Sequence, residues 1–105
     1  MFRFYETNLP KSILRLVEHG VAKLDPSRVI LYGSRARGDA GRYSDYDLAF
    51  EFAPGKKREW LSFQLDSRML PITLRKTDLL ALQEASSELA QRVKTEGIVL
   101  YERQG

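Results

Sequence analysis

The spacing of apolar side chains divides the first half of the chain into one helix and two strands. From Pro10 to Leu24 apolar residues recur every three or four positions, which predicts an amphipathic helix. The run Arg28–Tyr32 is short, β-branched and followed by a glycine, so we expect a buried strand there. From Tyr46 to Phe52 every second residue is apolar, and this period of two predicts a second strand.

The second half of the chain has a less regular pattern, and five further elements are predicted there. They are a helix beginning near Lys56 and running to Arg68, a short strand Leu70–Leu74, a short helix beginning at Thr77 or Asp78 and running to Leu82, a helix beginning at Ser86 or Ser87 and ending at Gly97, and a last strand or extended tail Ile98–Tyr101. Together the elements predict an α/β (α+β) fold, with a small mixed β-sheet and helices packed against it. Residues 1–105 are expected to form a single domain.

Composition limits the chemistry that such a domain can perform. The 105 residues include no cysteine and one histidine, and 43% are hydrophobic and 30% charged. The absence of cysteine excludes disulfides, thiolate zinc sites and a cysteine nucleophile, and a single histidine excludes sites built from several histidines. An enzyme of this composition must use carboxylates, hydroxyl groups, arginine and lysine, backbone amides or a bound metal ion.

The net charge and the termini bear on location and partners. The formal charge of +3 is only mildly basic, so by itself it does not indicate nucleic acid as a partner. No apolar run approaches the roughly 18 residues that a membrane span needs, and the N-terminus lacks the apolar core of a signal peptide, so we expect a cytoplasmic protein without membrane contact. The apolar Phe2 and Phe4 leave an oligomer contact open.

Two aspartates at the start of the second strand are candidate metal ligands. Asp45 and Asp47 are two positions apart, so on a strand their side chains point to the same face. Two carboxylates on one face repel each other unless a cation lies between them, and Mg²⁺ is bound by such oxygens. An acidic, solvent-exposed strand face is the alternative interpretation of the same pair.

A glycine and a serine at the end of the first strand are candidate phosphate ligands. Gly33 permits close approach of the backbone to a ligand, and the amides and hydroxyl of a turn at Ser34 can contact phosphate oxygens. Arg35 and Arg37 add positive charge suited to phosphate, although an ordinary turn with solvated arginines gives the same pattern. A phosphate-binding turn beside a metal-binding carboxylate pair is what phosphoryl or nucleotidyl transfer requires.

The motif formed by these residues resembles the signature of the DNA polymerase beta-like nucleotidyltransferase superfamily. The motif is Gly33-Ser34, then ten residues, then Asp45-x-Asp47, and the length and element order are similar to those of the minimal nucleotidyltransferases (MNT proteins). The resemblance implies that Asp45 and Asp47 bind two Mg²⁺ ions, and that Gly33 and Ser34 hold a nucleoside triphosphate, with Arg35 and Arg37 neutralising its charge. It further implies AMP transfer from ATP to a tyrosine hydroxyl of a HEPN-domain toxin, which would make this chain its antitoxin.

The third carboxylate of the family's site has no obvious counterpart in this sequence. On the predicted strand Leu70–Leu74 the matching position is Thr73, whose hydroxyl is a poor ligand for a divalent cation. Asp66 and Asp78 flank that strand rather than lying on it. The threonine motivates an alternative function, in which a catalytically weakened domain binds nucleotide or neutralises its partner by contact alone. Transfer to a small molecule such as an aminoglycoside is a third, weaker hypothesis.

Overall fold

The computed structural model describes residues 2–4 and 9–103. Within them the chain forms five strands and four helices, together with a 3₁₀ turn at Leu82–Glu84. In chain order the elements are β1 (Phe2–Phe4), α1 (Lys11–Leu24), β2 (Arg28–Tyr32), α2 (Ser34–Arg37), β3 (Tyr46–Glu51), α3 (Lys57–Met69), β4 (Thr77–Ala81), α4 (Ser87–Glu96) and β5 (Ile98–Arg103).

The strands form one mixed sheet in the order β1-β5-β2-β3-β4. β3 and β4 are parallel, and every other neighbouring pair is antiparallel. The crossover between the parallel strands is made by α3, because parallel neighbours cannot be joined by a tight turn. The predicted α/β (α+β) class and the small mixed sheet are confirmed.

Helices cover both faces of the sheet and create two apolar clusters. On one face α1 and α3 pack against β2 and β3, where Val17, Leu48, Phe50 and Phe63 are fully buried. On the other face α4 and the 3₁₀ turn cover a smaller cluster of Ile30, Ala49, Leu82 and Val93. Successive residues of β3 therefore belong to different clusters, as expected for side chains that alternate between the two faces of a strand.

Most of the predicted elements are confirmed at nearly the predicted bounds. The helix expected from Pro10 to Leu24 begins one residue later, at Lys11, and Pro10 precedes its first turn. The Ser86 hydroxyl accepts a hydrogen bond from the Leu89 amide, 3.2 Å away, which fixes the start of α4. Within the described residues, no helix has the length and apolar character that crossing a membrane requires.

The predicted strand Leu70–Leu74 is wrong. The segment is an irregular connection between α3 and β4, and none of its residues joins the sheet. Pro71 has no amide hydrogen to donate to a sheet ladder, and the Leu74 side chain is fully exposed. The segment contributes Ile72, which is partly buried against the larger apolar cluster, but it contributes no strand.

The short helix predicted from Thr77 or Asp78 to Leu82 is also wrong, because Thr77–Ala81 is strand β4. Leu79 packs against one apolar cluster and Leu80 against the other, since successive residues of a strand point to opposite faces. A strand with apolar neighbours on both sides has a continuous apolar run, which cannot be distinguished from a helical segment by periodicity. This difference moves Asp78 from a helix cap into the sheet.

Candidate active site

Two carboxylates lie side by side where β3 and β4 begin. Asp47 and Asp78 are register partners in the parallel pair, and Asp47 is also the register partner of Tyr32 at the end of β2. Register partners in a sheet point to the same face, so Tyr32, Asp47 and Asp78 form a row across three strands. The row lies on the face that α4 covers farther along the strands.

Asp45 lies two residues before Asp47 in the chain and adds a third carboxylate beside the row. It precedes β3, and its charge acts on Asp47 together with that of Asp78. Within residues 9–103, none of these three carboxylates has a hydrogen bond or an ion pair with a cationic side chain. No three Asp, Glu or His side chains in the described residues are gathered closely enough to hold a metal ion. The three carboxylates lie near one another without forming a closed cluster, and among the described residues the charge of Arg37 partly offsets their repulsion at Asp47.

The environments of Asp47 and Tyr32 oppose the ionisation of these two side chains. Partial burial raises the pKa of Asp47 above its usual value, and repulsion by Asp78 and then Asp45 raises it further, while Arg37 acts weakly in the opposite direction. Burial raises the pKa of Tyr32 to about 12, with contributions from Asp78 and Asp47. The Tyr32 hydroxyl therefore stays protonated at neutral pH. A bound divalent cation would reverse the effect on the carboxylates, because it favours their charged form.

The Gly33 turn brings the backbone against Asp47. Gly33 has a φ of 73° and a ψ of −157°, a conformation that only glycine adopts readily. A Cβ at this position would overlap Asp47 Oδ2, so the close approach of turn and carboxylate also requires glycine. Ser34 begins α2, and its hydroxyl makes no hydrogen bond within residues 9–103. The turn thus lies against Asp47, and the residue that follows Gly33 carries an unengaged hydroxyl.

Arg35 is committed to the loop between α2 and β3. Its guanidinium donates hydrogen bonds to the carbonyls of Ser44, at 3.0 and 3.3 Å, and of Arg42, at 3.2 Å. It also lies over the ring of Tyr46, 4.3 Å from the centroid. These contacts show a structural role, since they hold the loop that carries Asp45. A role of Arg35 in nucleotide binding stays a prediction.

Of these two arginines, Arg37 is the one whose positive charge acts on Asp47. Its Nε donates to Asp39 at 3.1 Å, and Nη1 lies 3.5 Å from Glu96 at the end of α4. Hydrogen bonding to Asp39 raises the pKa of Arg37 above its usual value. All three side chains are substantially exposed, so these ion pairs are weak and can exchange for a phosphate. Contact of Arg37 with nucleotide also stays a prediction.

Thr73 does not occupy the place of a third carboxylate. Its hydroxyl lies 2.8 Å from the Ser12 hydroxyl of α1 and accepts a hydrogen bond from the Arg75 amide. The residue beside Asp47 is Asp78, so the replacement inferred from the sequence is corrected. The error follows from assigning the strand to Leu70–Leu74. The signal for the correct position was the run Leu79-Leu80-Ala81 after Asp78, an apolar run of the kind that a strand buried on both faces shows.

One open cavity reaches the acidic row at Asp78, and a second lies against the neighbouring loop. A cavity of about 350 Å³ is lined by residues of α3, of β4 and of the segment before it, including Arg68, Arg75, Lys76 and Asp78. A larger one of about 650 Å³ lies against the loop that Arg35 holds, and its lining also includes Arg75 and Lys76. The positive side chains around both cavities suit an anionic ligand such as a polyphosphate.

Comparison with known proteins identifies the family. Residues 16–105 match the family described as polymerase beta, nucleotidyltransferase, which is most of the chain. The chain therefore belongs to the polymerase beta-like nucleotidyltransferase family, and its sheet and helices have that fold. No functionally curated protein matches the chain at significant sequence similarity.

Solved structures of similar fold include toxin–antitoxin proteins. A chain of a toxin–antitoxin with AMP-PNP is 31% identical, with a TM-score of 0.61, and the match covers 90% of this chain and 73% of that one. A chain of a toxin–antitoxin MntA–HpeT variant with two Asp-to-Glu substitutions is 27% identical, with a TM-score of 0.63 and the same coverage. A minimal nucleotidyltransferase at 22% identity and a TM-score of 0.64 shows the same fold, over 89% of this chain and 98% of that chain.

Proposed function

We propose that this chain is a magnesium-dependent nucleotidyltransferase that moves AMP from ATP to a hydroxyl group of a partner protein. The observation that carries the proposal is the pairing of Asp47 with Asp78, beside Asp45 and the Gly33-Ser34 turn. The similar toxin–antitoxin with AMP-PNP, an ATP analogue, supports ATP as the donor. A HEPN-domain toxin is the proposed partner, and this chain would be its antitoxin.

The acidic row suits magnesium. Asp45, Asp47 and Asp78 carry oxygen ligands of the kind that Mg²⁺ prefers and have no ion pair within the described residues, and they would have to move closer together for all three to bind one ion. Bound there, magnesium would neutralise developing negative charge and lower the pKa of an attacking hydroxyl. The similar MntA–HpeT variant carries two Asp-to-Glu substitutions two positions apart, which is the spacing of Asp45 and Asp47. That shared spacing supports a catalytic or metal-binding role for Asp45 and Asp47.

The other residues of the site would hold the donor. The Ser34 hydroxyl and the backbone of the Gly33 turn are available to phosphate oxygens, and Arg37 can exchange its exposed carboxylate partners for phosphate. The acceptor oxygen would attack the α-phosphorus of ATP, the bond from that phosphorus to the β-phosphate oxygen would break, and pyrophosphate would leave. The acceptor's proton would pass to a carboxylate of the row or to solvent.

The structure removes the reason for considering the alternative function, in which the chain binds nucleotide or its partner without catalysis. That alternative depended on Thr73 as the counterpart of a third carboxylate, whereas the register partner of Asp47 is Asp78 and the Thr73 hydroxyl is hydrogen-bonded to Ser12. Incubation of the chain with radiolabelled ATP, Mg²⁺ and a HEPN-domain protein distinguishes AMP transfer from neutralisation by binding alone. Label on a partner tyrosine, absent with Asp47→Asn, is the expected result. Neutralisation of the toxin without any label, at stoichiometric amounts of this chain, would overturn the transferase proposal.

A further inference from the structure

The outward side of α3 has an unpartnered apolar stripe. Trp60 and Phe63 face the core, and the opposite side carries Leu61, Leu65 and Met69 at intervals of four residues. Their side chains are 55%, 58% and 73% exposed. Residues four apart on a helix lie on one face, so these three form a continuous surface, which we call the α3 outer stripe. A stripe of long apolar side chains opposite the buried face is unusual for a helix that packs only on its own sheet.

Most of the charged residues beside the α3 outer stripe are basic, and the acidic exceptions are Glu59, in the first turn of α3, and Asp66. Lys57 and Arg58 precede it in the first turn of α3, and Arg68 lies at its other end. Within residues 9–103 these three side chains have no ion pair. Asp66 lies on the flank toward α1, where it accepts hydrogen bonds from Lys23 and His19 at 2.8 Å each. The rim of the stripe is therefore positive, and it favours a negatively charged partner surface.

The stripe ends beside the candidate active site. Arg68, at its C-terminal end, lines the 350 Å³ cavity together with Asp78 of the acidic row. Arg75 and Lys76 line the same cavity and add positive charge between the stripe and the row. A partner that covered the stripe would therefore extend to the edge of the site where the acceptor hydroxyl has to arrive.

The chemistry of the surface favours a protein helix over other occupants. Leucine and methionine cannot stack on bases, whereas surfaces for single-stranded RNA combine cations with aromatic rings. Pairing of two copies through the stripe would bring the basic rims of both copies together, and like charges across an interface are unfavourable. Apolar residues at four-residue spacing suit an amphipathic helix that packs along α3.

We propose that the α3 outer stripe is the docking surface for an acidic amphipathic helix of the protein whose hydroxyl is modified. The inference rests on the proposed function for the identity of the partner, and it adds the surface and the chemistry of recognition. The apolar side chains of the helix bury Leu61, Leu65 and Met69, and its carboxylates meet Arg58 and Arg68. Docking there leaves the cavity at Asp78 open to the partner's acceptor residue.

A binding measurement without ATP or Mg²⁺ tests the docking surface apart from catalysis. The probe is a synthetic, fluorescein-labelled helical peptide with leucines on one face and glutamates on both flanks, and its control has lysines in place of the glutamates. Fluorescence anisotropy with the full chain is expected to show saturable binding of the acidic peptide only. The paired change Leu61→Gln with Leu65→Gln is expected to weaken binding at least about tenfold. Leu14→Gln, at a leucine of α1 that is 38% exposed, is the matched control and leaves binding unchanged.

The charged rim is tested in the same assay. Arg68→Glu is expected to weaken binding, and Arg15→Glu, at an exposed arginine of α1, is expected to leave it unchanged. Thermal melts confirm that each variant is folded. The proposal is overturned if the acidic peptide fails to bind at millimolar concentration, if both peptides bind equally, or if the stripe variants bind as the wild type does.

Two other occupants would be revealed by parallel measurements on the same variants. An oligoribonucleotide whose binding is lost in the Leu61/Leu65 variant would assign the surface to RNA, and dimers lost in that variant by analytical ultracentrifugation would assign it to a second copy. Either result overturns the proposal. Binding of the acidic peptide, combined with no transfer of AMP to the HEPN-domain protein in the labelling experiment above, would support the docking surface and contradict the proposed function. The failure of one proposal is therefore distinguishable from the failure of the other.

Discussion

Asp47 and Asp78 are register partners on adjacent parallel strands, although α3 and its flanking segments separate them in the sequence. Their repulsion, with that of Asp45, contributes to the raised pKa of Asp47. An arrangement that keeps like charges together without an ion pair lowers the stability of the folded protein when no cation is bound. It is expected where a cation or a polyphosphate–cation complex is the natural ligand.

Asp78 rather than Thr73 is expected to be essential for transfer. Asp78→Asn removes a ligand of the acidic row and should lower the AMP-transfer rate about 100-fold or more. Thr73→Val removes the hydrogen bond with Ser12 and should leave the rate within a few-fold of wild type, at a stability loss of about 1 kcal/mol. Single-turnover transfer of labelled AMP measures the rates. Equal losses from both changes would contradict the assignment.

Magnesium is expected to stabilise the folded chain. At ten times its dissociation constant, Mg²⁺ should raise the free energy of unfolding by about 1.4 kcal/mol, because it binds the native acidic row alone. The paired change Asp45→Asn with Asp47→Asn should abolish the increase. Thermal melts with Mg²⁺ and with EDTA measure it. Glu84→Gln, at an exposed carboxylate away from the row, is the control and should keep the full increase.

Without magnesium, Asp47 is expected to destabilise the protein at neutral pH. Its pKa is higher in the folded state, so its contribution favours folding below the unfolded pKa of about 3.9 and is lost as pH rises through the folded pKa. Asp47→Asn should therefore raise the free energy of unfolding at pH 7, by less than about 1 kcal/mol because solvent screens the partly exposed group. The gain should disappear in acid. Denaturant titrations in EDTA at several pH values measure it, and a gain that is the same at every pH would contradict the expectation.

Gly33 is expected to be required for two reasons: its backbone conformation, and the room that it leaves for the Asp47 carboxylate. Gly33→Ala imposes a strained conformation, worth about 1–3 kcal/mol, and displaces Asp47, so it should lower stability and also abolish the magnesium-induced shift. Gly38→Ala provides the control, since Gly38 also has a positive φ of 86° but has no atom within 4 Å of an added Cβ. It should lower stability by about 1–2 kcal/mol and keep the magnesium response. An intact magnesium response in Gly33→Ala would contradict the close approach.

Arg35 is expected to support the loop that carries Asp45. Arg35→Lys retains the charge but loses the forked contacts with Ser44 and Arg42, and the free energy of unfolding should fall by about 1–3 kcal/mol. Arg37→Lys alters only exposed ion pairs, so it should change stability less. Thermal melts compare the two. ATP binding by calorimetry then shows whether either arginine also contacts phosphate.

The sequence by itself determined the elements whose hydrophobic pattern is strong. Alternation in Tyr46–Phe52 specified β3 and the common face of Asp45 and Asp47, and the glycine after β2 marked the turn. The family resemblance could also be inferred from that one continuous segment, because its chemistry depends on local spacing. Local spacing needs no knowledge of how distant segments pair.

Only the tertiary structure decided which later segment completes the site. Leu70–Leu74 and Thr77–Ala81 are both apolar and both short, so propensity favours neither as the partner of β3. The choice depends on sheet pairing: Thr77–Ala81 can bury leucines on both faces of the sheet, whereas Pro71 interrupts a ladder. That pairing brings Asp78 beside Asp47 and leaves Thr73 against α1. The apolar run after Asp78 is compatible with this pairing but does not select it over a helical alternative.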